Sequence, residues 1–413
     1  MYNIDDIRNT IIHGNALETL RNIPDESVNC VVTSPPYWGL RFYGEETKTI
    51  WDGNPDCEHE WGEEIITARH KKGETNPGKE KWYKDNDAIT PIAGNFCLKC
   101  GAWYGQLGLE PSLDMFIDHL LQITAELKRV LKKTGTLWWN MGDCYGSHSI
   151  GNGNVGGIEG QRNRTSKQYS DTIKAQSINK LLSVPDKCLA LQNFRLAQRM
   201  IDEQGWILRN ILIWHKLNSM PSSVKDRFTV DFEPVFFFVK SKKYYFEQQF
   251  EPFQESTYQR NNYAYNPFKG DIQGAVKSSG QRKFAEHLKQ GLLNGRNKRC
   301  VWSINTQPFK DAHFAVMPEK LVEPMIKAGC PKEICKKCGK INTCNCNAGF
   351  KPGIVLDPFM GAGTVGVVAK RLRRDYIGIE LNPEYIKIAE KRIAGTLVNE
   401  TLFDTEVIYE QRF

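Results

Sequence analysis

Apolar residues along the chain fall into two periods. Thr10 to His13, Cys30-Val31-Val32-Thr33, Thr136 to Asn140, Ile207 to His215 and Phe232 to Val239 are short apolar runs, the pattern of strands buried on both faces. Between them, Phe116, Leu120, Ile123, Leu127 and Val130 recur at helical spacing behind Ser112-Leu113-Asp114. That reads as a capped, amphipathic helix, with Gly135 expected to end it. Ala16 to Arg21, about Leu189 to Gln204, and Pro318 to Ala328 read as further helices. The last unit is the clearest: strand Ile354 to Leu356, a Gly-rich turn, helix Thr364 to Leu372, strand Tyr376 to Ile379 and helix Pro383 to Ile393. A βαβα unit implies a parallel sheet.

Two stretches break the alternation. Gly44 to Gly94 is polar and turn-rich, the pattern of an insertion, and Ser147 to Lys167, rich in Gly, Asn and Arg, reads as a mobile loop. The densest apolar run, Val235 to Val239, is strand-sized and far short of a membrane span. Met1 to Arg8 carries acids and no apolar core, so no secretory signal is expected. In 413 residues the net charge is +7. Between Thr257 and Cys300 nine basic residues (Arg260, Lys269, Lys277, Arg282, Lys283, Lys289, Arg296, Lys298, Arg299) face only Asp271 and Glu286, a surplus numerically equal to that of the whole chain. Interleaved with Tyr258, Tyr263, Tyr265, Phe268 and Phe284, they suit a polyanion: Lys and Arg neutralise phosphates, and Arg reads base edges. A solvated charged loop is the plain alternative. Arg162, Arg164 and Lys167 offer a second contact of this kind.

The twelve cysteines point to a reducing compartment and to metal ligation rather than disulfides. Cys57, His59, Cys97 and Cys100 form one set and Cys335, Cys338, Cys344 and Cys346 another, each with the four ligands of a closed, structural zinc site. Such a site would clamp a segment too polar to fold alone. Cys30, Cys144, Cys188 and Cys300 are expected to be small buried hydrophobes. His119, His148, His215 and His313 are expected at the surface or satisfied within the protein.

Two motifs carry chemistry. Asp357-Pro358-Phe359-Met360-Gly361-Ala362-Gly363-Thr364 joins a strand to a helix, and Glu380 ends the next strand, nineteen residues after Gly361. The glycines allow close backbone approach at a helix N-terminus, and an acid at that distance can hold a ribose diol. No Lys follows Gly363, against a phosphate loop, and the third glycine of a dinucleotide fingerprint is missing. Asp357 would repel pyrophosphate and suit a cation, so S-adenosylmethionine, with its sulfonium, ammonium and ribose, fits. Thr33-Ser34-Pro35-Pro36-Tyr37-Trp38 follows a strand directly. The prolines stiffen the loop and remove two N–H donors. An exocyclic amine on a base is a poor nucleophile; the Ser34 hydroxyl and Pro35 carbonyl could hold its two hydrogens while Tyr37 stacks the turned-out base.

Together these segments resemble the DNA amino-methyltransferases, whose catalytic motif [DNS]PP[YF] is matched by Ser34-Pro35-Pro36-Tyr37 and whose cofactor motif is matched by Asp357 to Thr364, with Ala362 in place of the usual serine. The resemblance extends over Ile11 to Leu20, Leu113 to Asp143, Asn210 to Lys240, Val301 to Gly329 and Tyr376 to Arg392, with the catalytic motif first, as in the beta arrangement. It implies a Rossmann-like α/β fold with a mostly parallel sheet, and methyl transfer from S-adenosylmethionine to a base of double-stranded DNA. Asp357, Phe359, Gly361, Gly363 and Thr364 would then line the cofactor site, with Glu380 on the ribose and Asn382 beside it. Asn15, in His13-Gly14-Asn15-Ala16, stands where the family usually has an acid facing adenine. Pro318 to Leu321 resembles the helix that closes over the methionine part.

Ser34 at the first catalytic position resembles the cytosine-N4 enzymes, adenine N6 being the alternative; a catalytically silent zinc-containing DNA-binding protein and an RNA or small-molecule methyltransferase are competing classes. The expected organisation is a catalytic part of the core at 1–43, a zinc-binding insertion at 44–105, core at 106–240 with a mobile loop at 147–180, target recognition at 241–305, and the cofactor part at 306–413 with a Cys-rich insertion at 330–350. A cytoplasmic setting, in a prokaryotic or phage-infected cell, and a cognate restriction endonuclease as partner follow from the resemblance.

Overall fold

A computed structural model describes residues 1–40, 42–63, 65–66, 92–146, 184–185, 187–254, 256, 287, 295–307 and 316–398. The expected mobile loop at 147–180 lies outside them, as do Arg260, Lys269, Lys277, Arg282, Lys283 and Lys289. The chain divides into two compact units: 1–246 with 301–398, and 247–300 with 399–413.

In the first unit an eight-stranded sheet carries the fold. Its strands are β1 (Thr10–His13), β2 (Val28–Thr33), β7 (Leu131–Asn140), β8 (Ile207–His215), β9 (Phe232–Val239), β12 (Val301–Ser303), β15 (Ile354–Asp357) and β16 (Asp375–Glu380), in the order β1-β16-β15-β2-β7-β9-β8-β12. All neighbours are parallel except those of β9, which runs against both β7 and β8. The remaining strands are β3 (Thr49–Trp51), β4 (Ile65–Ile66), β5 (Ile92–Phe96) and β6 (Trp103–Gly105), which form a separate sheet in the order β3-β6-β5-β4, and the hairpin of β13 (Ile334–Cys335) and β14 (Phe350–Lys351). The second unit contributes the antiparallel pair β10 (Phe250–Glu251) and β11 (Arg296–Asn297).

The apolar runs are continuous because both faces of the main sheet are covered. Val31, Leu137, Trp139, Phe236, Phe238 and Leu356 face one core, against helices α1 (Ala16–Arg21), α2 (Leu113–Val130) and α3 (Gln192–Asp202). Their neighbours Val32, Trp138, Phe237 and Val355 face the other, against α4 (Glu319–Gly329), α5 (Thr364–Arg371) and α6 (Pro383–Ala394). The period-2 alternation of a strand thus fills two layers, giving an α/β/α sandwich with a mostly parallel sheet.

Capping sets several boundaries. Ser112 accepts from the Met115 N–H at the start of α2, and Asn15 and Asn382 cap α1 and α6 in the same way, with Pro383 opening α6. Three expectations shift. Gly135 does not end α2: the helix stops at Val130 and β7 begins at Leu131, which pairs with Val28 of β2 before a register shift. The Lys132-Lys133-Thr134 stretch hid that strand start. The helix expected from Leu189 starts at Gln192, because Leu189 bridges to Tyr145 and Asp143 accepts from the Leu191 and Gln192 N–H groups. It ends at Asp202 ahead of Gly205, whose φ of 64° turns the chain. Cys30 and Cys144 are buried as expected, whereas Cys188 and Cys300 are exposed.

His119 is fully buried and satisfied. It stacks between Trp51 (4.5 Å) and Trp103 (5.5 Å), with Nδ1 2.9 Å from Glu110 Oε1 and Nε2 3.0 Å from Asp52 Oδ2. These contacts fasten β3 and β6 to α2.

Gly329, closing α4, tests the packing between layers. A Cβ there would collide with Thr136 Oγ1 and stand 2.5 Å from Trp138 Nε1. Gly329→Ala is therefore expected to cost roughly 1–3 kcal/mol of stability, the usual penalty of overpacking, read from urea unfolding.

Candidate active site

The parallel strands end at one edge of the sheet, and there the loops beyond them converge. Gly14 and Asn15 follow β1, Ser34 to Tyr37 follow β2, Asn140 ends β7, Asp357 to Ala362 follow or end β15, and Glu380 ends β16. All line one cavity of about 480 Å³. Ligand crevices form at this edge of open α/β sheets. The β8–β9 hairpin adds Trp214 and Lys216 from the end of β8 and Glu233 from the start of antiparallel β9.

The two sequence motifs, more than three hundred residues apart, are joined directly. Leu356 pairs with Val31, and beyond that register the Thr33 hydroxyl donates to Asp357 Oδ1 at 2.7 Å. The same oxygen accepts from the Phe359 N–H at 3.0 Å. Burial, opposed by these two bonds, lifts the Asp357 carboxyl to about 7. Glu380 is ringed by backbone: Oε2 accepts from Gly361 (2.7 Å), and Oε1 from Leu381 (3.0 Å) and Asn382 (2.8 Å). Burial raises its pKa while these N–H groups pull the other way. Gly361 presents its N–H with φ at 49°, a backbone shape that favours glycine. Among the described residues neither carboxylate forms an ion pair with a side chain.

Ser34, Pro35, Pro36 and Tyr37 line the same cavity. Ser34 Oγ lies 3.4 Å from the Tyr37 hydroxyl, which donates to Glu233 Oε2 at 2.9 Å, and Lys216 pairs with Glu233 Oε1. Burial first, then the Glu233 charge, pushes the Tyr37 hydroxyl well above its usual range, so it stays a donor.

Of the other expected cofactor residues, Phe359 and Thr364 line the cavity, and Phe359 meets Trp139 edge-on. Asn15 lines it too, with its side chain engaged: Oδ1 caps α1 and Nδ2 donates to Thr49 Oγ1 at 3.0 Å. Gly363 packs against Ala389, and Asn382 caps α6 while donating to Glu46 Oε1 at 2.9 Å; neither is among the lining residues. Sequence reasoning missed Glu233 and Lys216, and also Thr47, Thr49 and Trp51 of the insertion. The signal for the first pair was available: an acid directly ahead of Pro234 and the apolar run Val235 to Val239, and a Lys directly after another strand.

The two cysteine sets each converge. Within each, the four ligand atoms lie within 4.8 Å of one another. Cys57 and Cys97 sulfurs are 3.9 Å apart, close to the about 3.8 Å edge of a tetrahedron of zinc–sulfur bonds, and His59 Nδ1 lies 3.5 Å from Cys100 Sγ. Both Cys-x2-Cys turns close on a left-handed glycine, Gly101 (φ 76°) and Gly339 (φ 69°), whose N–H bonds back to the first cysteine carbonyl at 3.0 Å. Against the burial that raises it, N–H groups of Cys100 and Lys99 and the His59 ring draw the Cys97 thiol down to about 5. In the second set the Cys338 N–H leads in drawing Cys335 to about 6.

In the second unit, Arg296 and Arg299 both pair with Glu251 at 2.7 Å, and Lys298 and Arg299 are exposed. Among the described residues, no helix is long and apolar enough to cross a membrane.

A family model described as DNA methylase, of the N6 and N4 type, matches residues 28–391. The chain is 33% identical over 394 residues to the type II methyltransferase M.Cfr9I of Citrobacter freundii, covering 94% of this chain and 89% of that protein. It is 32% identical over 387 residues to M.XycI of Xanthomonas campestris pv. cyanopsidis, covering 94% and 88%. Among solved structures, the cytosine-N4-specific PvuII DNA methyltransferase aligns over 92% of this chain and 85% of its own, at 18% identity and a TM-score of 0.47.

Asp357 makes stability pH-dependent. Its folded pKa of about 7 lies above the ordinary 3.8, so its contribution is full below pH 4 and lost as pH rises through 7. Asn keeps the Oδ1 acceptor without the charge. Asp357→Asn should therefore stabilise the unliganded protein by roughly 1–4 kcal/mol more at pH 8 than at pH 4, measured by urea unfolding at both; a pH-independent difference would contradict the assignment.

Proposed function

The chain belongs to the N6/N4 DNA methylase family and is a DNA methyltransferase, and on that premise we propose that it methylates the exocyclic N4 amino group of cytosine in duplex DNA, from S-adenosylmethionine, after the base is turned out of the helix. The observation that carries this reading is the Thr33–Asp357 hydrogen bond, which brings the SPPY loop and the Asp357–Glu380 wall into one cavity.

The residues fit the cofactor chemically. The Asp357–Glu380 wall offers two carboxylates with no side-chain cation paired to them among the described residues, a setting for a cationic ligand. Glu380 has lone pairs left for a ribose diol beyond its three backbone donors. Phe359 offers a flat apolar surface, and Gly361 and Thr364 line the turn beside it. When bound, S-adenosylmethionine supplies an electrophilic methyl on sulfur.

On the SPPY wall, the Ser34 hydroxyl and Pro35 carbonyl accept the two amine hydrogens, localising the nitrogen lone pair for in-line attack, and Tyr37 stacks the base. Ser at the first position favours cytosine N4 over adenine N6. The basic segment between Thr257 and Cys300, with Arg260, Lys269, Lys277, Arg282, Lys283, Arg296, Lys298 and Arg299, is assigned to DNA phosphates and base edges. Both cysteine sets are assigned to structural zinc. The type II names of the relatives support a place beside a cognate restriction endonuclease, in the cytoplasm of a prokaryotic or phage-infected cell.

Incubation of duplex DNA with the enzyme and tritiated S-adenosylmethionine should transfer label, and sequencing of the product should place it on cytosine N4. Label on adenine N6 would move the target, and label confined to RNA or small molecules would defeat the reading. Ser34→Ala should lower kcat on the order of a hundredfold with cofactor affinity unchanged. Elemental analysis should find two zinc ions per chain; a value near zero eliminates both sites.

A further inference from the structure

The SPPY loop fixes the backbone of Tyr37 through two prolines, yet the ring can still swing about its own side-chain bonds. Several contacts restrict it, the Gly142 backbone at its hydroxyl among them. Its hydroxyl donates to Glu233 Oε2 at 2.9 Å. One ring edge rests on Gly142, where an added Cβ would stand 2.9 Å from Tyr37 Cε2 and 3.4 Å from Glu233 Cδ. Ser34 Oγ, 3.4 Å from the hydroxyl, adds a longer contact.

Glu233 is itself held. Its other oxygen pairs with Lys216, whose ammonium lies 4.6 Å from the Trp214 ring centroid. Trp214 in turn donates to the Ile304 carbonyl at 2.8 Å. Trp214 and Glu233 are partners in the β8–β9 register, so Lys216 and Glu233 belong to one end of the hairpin. Both line the cavity, and both side chains are mostly buried, at 21% exposure for Lys216 and 17% for Glu233. A mostly buried carboxylate committed by both oxygens, one to an ammonium and one to a single phenol, is a fixed strut.

We propose that Glu233, braced by Lys216, is a positioning residue that sets the plane of the Tyr37 ring on which the target base stacks. This rests on the function proposed above and names the part of the antiparallel hairpin in it. Tyr37 without its strut would still stack a base, in a plane no longer matched to the Ser34 and Pro35 acceptors; misplacements of about an ångström lower rates roughly a hundredfold.

The test is a double-mutant cycle measured as methyl transfer to duplex DNA, with S-adenosylmethionine affinity from calorimetry as the check on folding. Glu233→Ala should lower kcat roughly ten- to a hundredfold, with cofactor Kd unchanged. Glu233→Gln, which keeps an acceptor oxygen for the phenol, should recover most of that loss. Tyr37→Phe removes the hydroxyl, and adding Glu233→Ala to it should cost no more, since the two act through one hydrogen bond. An unchanged kcat in Glu233→Ala, or an equal further loss on top of Tyr37→Phe, would overturn the proposal while leaving the methyltransferase reading intact. A wild-type enzyme that labels no DNA would defeat that reading, and the positioning role with it.

Discussion

The site depends on one hydrogen bond between neighbouring strand ends. Thr33 and Asp357 belong to parallel strands whose pairing is set by hydrophobic register, and the hydroxyl–carboxylate contact at 2.7 Å locks the loops beyond them. Everything downstream inherits its position from there: the Asp357 oxygen that Thr33 reaches also receives the Phe359 N–H, and the turn continues to Gly361 and the Glu380 carboxylate. Thr33 is fully buried, so this bond does not compete with water. Its acceptor is held at a pKa of about 7 by that same burial. Carrying a poised acid at the head of the cavity costs the unliganded fold stability at neutral pH, as is common where binding needs a charge in place beforehand.

The cavity is polarised. Among the described residues, the acids at the Asp357–Glu380 end accept hydrogen bonds from backbone N–H groups and a Thr hydroxyl, and His13 adds an electrostatic pull on Glu380. At the SPPY end the acid is neutralised by Lys216 and spends its remaining oxygen on Tyr37. One end thus keeps its charge for a ligand, whereas the other uses charge internally to fix geometry. The difference suits a cation at one end and a neutral aromatic ring at the other.

Much of this was legible in the sequence, and for physical reasons. Buried strands such as Cys30 to Thr33 and Phe232 to Val239 stand out because both faces are covered, so apolar residues cannot alternate with polar ones. Asn382-Pro383 marks a helix start for equally local reasons. Ser34-Pro35-Pro36-Tyr37 and Asp357 to Thr364 could be read because their spacing constrains backbone shape. The features that stayed hidden depend on pairing between distant segments. Leu131 joins a strand only because Val28 lies beside it, and Gln192 starts a helix only because Asp143 reaches across. Glu233 and Lys216 are ordinary residues singly; their meaning comes from an antiparallel register that no local pattern specifies. The same holds for the small β3-β6-β5-β4 sheet, hidden in a stretch whose composition suggested only turns.

That small sheet has a thermodynamic consequence. Thr49 and Trp51 of β3 belong to the cavity wall, and β3 pairs with β6, whose Trp103 joins Trp51 in stacking on His119 of α2. A ligand resting on that wall therefore favours the packing of β3 and β6 against α2. Linkage makes such a relation reciprocal: whatever that packing contributes to ligand affinity, a bound ligand returns to the packing. The small sheet is thereby tied to whatever fills the cavity, and is not merely an ornament on the sandwich.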